Sequence, residues 1–177
     1  MFNLSRYSVG MVVGALLLIG AGVLILSFPA HSVSAESGNG SIARGAGTTI
    51  IQGGTGSPDF VPVLTTVAFH AERSGNSVSG DFECLARAPL SSTGAGSAQF
   101  TVNVMYVTGQ VTGAVVSGDV ATLTGTAHIT GIGAGTGVPF RFVVHGGGPG
   151  APAVLTTGSL VFNEILTEGS FQVSGTD

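Results

Sequence analysis

The chain has 177 residues, of which 44% are hydrophobic and only 8% charged, with 30 glycines and a formal net charge of −4. Its five basic residues are all arginine, too few to build the positive face that phosphate backbones require, so nucleic acid is excluded as a partner. One cysteine, Cys84, excludes an intramolecular disulfide framework, and the fold must stand on its apolar core.

Arg6 precedes an uncharged run from Val9 to Leu26, then Phe28-Pro29 and the small residues Ser32-Val33-Ser34-Ala35. Charge, apolar segment, break and small residues are what signal peptidase reads, so residues 1–35 are expected to be a signal peptide with Glu36 starting the mature chain. The run 9–26 is also long enough to span a bilayer, which makes a membrane anchor the alternative. Either way the protein is expected outside the cytoplasm, secreted or anchored, and touches a membrane only through an uncleaved leader. Residues 36–47 (ESGNGSIARGAG) are small and aperiodic, as in a flexible linker. Residues 48–177 then form a single β domain.

From Thr48 onward the apolar pattern has period two, and no window shows helical spacing. A first strand, Thr48 to Gln52, ends at the turn cluster Gly53 to Asp59. A second, Val61 to Arg73, places Val63, Val67 and Phe69 on one face and Thr66, His70 and Glu72 on the other. Ser74-Gly75-Asn76 turns the chain into Ser77–Ala88, where Val78, Gly80, Phe82, Cys84 and Ala86 share the apolar face. After a loop from Pro89 to Ser97, Phe100, Val102, Val104 and Tyr106 form the apolar phase of the next strand, and extended chain resumes from Val111 to Val116.

Beyond Ser117-Gly118-Asp119 the alternation is cleanest, with Ala121, Leu123, Gly125, Ala127 and Ile129 facing one way and threonines and His128 the other. A glycine loop, Gly131 to Gly137, leads to Val138, Phe140, Phe142 and Val144. Antiparallel pairing of these two strands predicts Ile129 opposite Phe140, Ala127 opposite Phe142, and His128 opposite Arg141. Gly146 to Gly150 breaks the chain, and Leu160 to Ile165 and Ser170 to Val173 close it. Eight or nine such strands predict an all-β antiparallel sandwich, with a small closed barrel as the alternative.

Three segments, SGNSVSGDFEC (74–84), VTGQVTGAVVSGDVATLTG (107–125) and GVPFRFVVHGGGPG (137–150), resemble secreted bacterial β domains of the post-COAP type. The resemblance implies an exported β fold with no assigned chemistry. It also implies an acidic residue where this chain has His145, which speaks against a shared metal site there.

Catalytic signatures are missing: the sequence has no G-x-S-x-G elbow, phosphate loop, C-x-x-C, H-E-x-x-H or calcium loop. What remains is a candidate binding face on the polar strand faces, made of His70, Glu72, His128, Arg141 and His145. Convergence of His70, His128 and His145 would be needed to hold zinc or copper; scattered solvated histidines are the plainer reading, so no metal and no cofactor is assigned. Asp59, Asp81, Glu83 and Asp119 lie in or beside turns, where acids hydrogen-bond local backbone, and Phe60 and Tyr106 are aromatic groups able to stack on a ligand. The expected function is a non-enzymatic exported module that binds an envelope component or a protein partner. A barrel carrying a small apolar ligand, and a small extracytoplasmic enzyme or metal-binding protein, are the alternatives.

Overall fold

A computed structural model describes residues 40–55, 63–89 and 100–174. The leader 1–35, Asp59, Phe60 and most of the 89–97 loop lie outside the described residues. The chain divides into two units, Met1–Ser34 and Ala35–Asp177, and everything below concerns the second.

Eight antiparallel strands follow one another: β1 Gly40–Thr55, β2 Leu64–Ser74, β3 Ser77–Ala88, β4 Val102–Ser117, β5 Val120–Gly131, β6 Gly135–His145, β7 Pro152–Thr157 and β8 Leu160–Val173. Each pairs with the next, and β1 pairs with β8, so the sheet closes into a barrel with no free edge. This corrects the sandwich expectation in favour of its alternative. Period-two alternation cannot separate the two, because both bury one face of every strand; ladder closure through β1 decides it.

That closure uses residues read above as linker. Ala43 pairs with Val173, Gly45 with Phe171 and Gly47 with Gly169, while the same residues pair with Ala71, Phe69 and Val67 of β2. The small residues of this segment fit against large neighbours: a Cβ on Gly45 would stand 2.7 Å from Phe171 Cδ1 and 3.0 Å from the Phe69 ring. Their lack of an apolar pattern reflects space already filled from adjacent strands.

The interior takes one residue in two from each strand: Val67, Phe69 and Ala71 from β2, Phe82, Cys84 and Ala86 from β3, Ala121, Leu123, Ala127 and Ile129 from β5, and Phe140, Phe142 and Val144 from β6. Five phenylalanines form a chain of ring contacts, from Phe171 to Phe69 (5.5 Å), Phe142 (5.3 Å), Phe82 (4.9 Å) and Phe140 (5.1 Å). Since β2 and β6 stand on opposite sides of an eight-stranded ring, their contact fills the lumen at that level. The outward positions of β5, by contrast, are threonines and His128. On β5, therefore, the inward positions are apolar and the outward ones mainly polar.

Three local expectations change. On β4 the buried residues are Met105, Val107 and Val111, and Tyr106 points outward, inverting the face read from the sequence. In the β5–β6 ladder, apolar faces do meet, but as Leu123 with Phe142, Gly125 with Phe140 and Ala127 with Val138. The turn is tighter than the glycine loop suggested, because β6 begins at Gly135. Finally, β7 is a strand that the sequence reading missed, while Leu160–Val173 is one strand rather than two.

Candidate functional site

The five residues of the expected binding face all point outward, but from different parts of the ring. His70 and Glu72 lie on β2, His128 on β5, and Arg141 and His145 on β6. His70 Nε2 stands 3.8 Å from Asp81 Oδ2, both exposed. His128 pairs through Nδ1 with Thr136 Oγ1 at 3.0 Å, and its strand partners are Thr108 and Thr136 rather than Arg141. Arg141 lies between Thr124 and Thr156, and His145 beside Val120. Among the described residues no three His, Cys, Asp or Glu side chains gather as a metal site requires.

The outer wall of β2–β5 does bring other groups together. One cross-strand row runs Thr66, Leu85, Tyr106, Thr130, and the next runs Ala68, Glu83, Thr108, His128. Two depressions meet on this wall. One, of about 430 Å³, is lined by Leu85, Asn103, Met105, Tyr106, Thr130 and Gly131. The other, of about 320 Å³, is lined by Thr66, Ala68, Glu83, Leu85, Arg87 and Tyr106. Leu85 and Tyr106 belong to both.

Tyr106 is 38% exposed, so its ring stands up between the depressions. Its hydroxyl donates to Glu83 Oε1 at 2.7 Å, and this bond to a carboxylate pushes the phenol pKa up. Arg87 Nη2 donates to Thr66 Oγ1 at 3.5 Å, while its buried Nε has no partner. An aromatic ring, an apolar floor, a carboxylate, a guanidinium and hydroxyls thus share one shallow surface. His70 and His128 flank it on β2 and β5. Glu83 and Tyr106 were visible in the sequence, but only cross-strand register shows them in contact.

A second cluster lies inside the barrel. Glu164, 2% exposed, projects inward from β8 and accepts hydrogen bonds through Oε2 from Thr49 of β1 and, at 2.8 Å, from Thr65 of β2. The two threonine hydroxyls also touch each other. Burial raises the Glu164 pKa from its ordinary 4.5, and the threonine bonds pull it partly back. Cys84, 1% exposed and free, has its thiol pushed well above its usual range by burial and by the Glu164 charge. This carboxyl escaped the sequence reading, although Leu160, Phe162, Glu164 and Leu166 share one strand phase.

The chain matches no protein-family model, no curated protein and no solved structure.

Proposed function

We propose that the domain is an exported, non-enzymatic binding module whose outer β2–β5 wall takes a carbohydrate component of the cell envelope. The observation that carries the reading is the exposed Tyr106 ring beside its cross-strand partner Leu85, both lining two adjoining depressions, with Glu83 and Arg87 in the second. A sugar ring offers an apolar C–H face to an aromatic platform and hydroxyls to the groups around it, and aromatic residues with a polar tip suit such mixed contacts. A purely apolar ligand would desolvate Glu83 and Arg87 without compensation. The phenylalanine chain occupies lumen that a carrier would need, which favours the outer wall over the barrel interior.

The test is titration calorimetry of the purified protein against fractionated envelope polysaccharides. Tyr106→Ala should weaken binding up to about tenfold, the equivalent of losing one good ring contact, and His145→Ala on β6 should leave it unchanged. Equal binding by Tyr106→Ala and the parent chain, or affinity for a protein with none for any polysaccharide, would remove this reading.

A further inference from the structure

We propose that Glu164, in its protonated form, is a latch on the seam between β8 and β1, and that rising pH loosens this seam before the rest of the barrel. The seam is the one ladder that turns a meander into a closed ring. It is also irregular: its register shifts between Thr48 and Thr49 and again between Ile51 and Gly53. Glu164 lies opposite Ile51, between these two shifts. Its carboxyl reaches back across the seam to Thr49 on β1 and on to Thr65 on β2, so a single side chain ties three strands within the short paired segment between the two register shifts.

The surroundings decide what ionisation does. Among the described residues, the groups facing Glu164 are Thr49 and Ile51 on β1, Thr65 on β2, Cys84 on β3 and Ala153 on β7. None is a cation, and the one titratable neighbour, Cys84, is itself held neutral by burial. Among the described residues a negative charge here has two hydroxyl donors and no counter-ion, so it is better hydrated in an opened seam than in the closed one.

The sign of the linkage follows. The closed-state pKa lies above the ordinary 4.5, and the opened seam titrates near that ordinary value. Protection of the seam is complete below about 4.5 and declines as pH rises, with the opening constant growing by up to about tenfold per pH unit until the closed-state pKa is passed. Opening also bares the backbone edges of β1 and β8, which are able to accept a further strand.

Hydrogen exchange measured residue by residue on the intact protein from about pH 4 to about pH 8, corrected for intrinsic rates, tests this. Protection of β1 and β8 amides should fall with pH while that of β3–β5 holds, and Glu164→Gln should abolish the pH dependence. Thr65→Val supplies an independent check: it keeps the carboxyl but removes a hydroxyl that favours its charged form, so the decline should persist and level off at higher pH. The proposal is overturned by equal slopes in Glu164→Gln and the parent, by a decline shared equally by β3–β5, or by a Thr65→Val protein with no decline.

Discussion

Gly125→Ala is expected to be among the most damaging single-methyl additions in this barrel. Gly125 lies mid-β5 opposite Phe140, and a Cβ there would stand 2.8 Å from Phe140 Cε1 and overlap the backbone carbonyl oxygen of Gln110 on β4. The ring could rotate a little, but the carbonyl is fixed in the ladder between β4 and β5, so relief requires moving backbone. Overpacking of a filled core costs about 1–3 kcal/mol, and a clash with backbone belongs at the upper end, about 3 kcal/mol. For a domain of this size that lowers Tm by roughly 10 °C. Gly118→Ala is the matched control, because Gly118 has open space around it but φ of 60° in the β4–β5 turn. Its cost is conformational alone, about 1 kcal/mol, and Gly118→Asn should recover part of it since asparagine tolerates that region. Urea unfolding followed by far-ultraviolet circular dichroism gives all three values. A Gly125→Ala protein within about 0.5 kcal/mol of the parent, or one no worse than Gly118→Ala, would refute the close-approach argument.

Two further outcomes follow from buried polar groups. Thr157 is 3% exposed and its hydroxyl has no hydrogen-bond partner, so Thr157→Val should leave stability unchanged or raise it by about 1 kcal/mol in the same unfolding assay; a loss of that size would mean the hydroxyl is bonded. Cys84 should react with a thiol reagent only as fast as the barrel opens, since its thiol is both buried and held protonated. Labelling as fast in native as in urea-unfolded protein would contradict its inward position.

The parts of this fold that were legible in the sequence are those where side-chain size and polarity alternate without interruption. β5 is the clearest case: its threonines face out, Ala121, Leu123 and Ile129 face in, and the parity of its pairing with β6 over Val120–Ala127 follows from that alone, whereas the register shift between Ala127 and His128, which reverses the parity beyond it, does not. The actual offset did not follow, because it depends on where the chain reverses, and glycines from 131 to 137 permit several turns. The early part of β1 was unreadable for a different reason. Gly45 and Gly47 carry no apolar signal, since the space at those positions is taken by Phe171, Phe69 and Leu166 from adjacent strands. On β4, counting Tyr106 among the apolar residues set the phase wrongly. The register is fixed instead by Met105, Val107 and Val111, with a shift at the Ala86–Arg87 step of β3.

The same contrast separates the two polar clusters. Glu83 and Arg87 lie on β3, but Tyr106 stands 23 residues from Glu83 and meets it only through the register of β3 and β4, so no local pattern could have joined them. Glu164 left a readable trace: it stands in phase with Phe162 and Leu166, where alternation demands an apolar side chain. Had stability been the only requirement, a leucine would bury there without desolvating a carboxyl, and a glutamine would offer Thr49 and Thr65 the same acceptor without titrating. Of the three side chains, the acid alone makes closure of the β1–β8 seam depend on a proton.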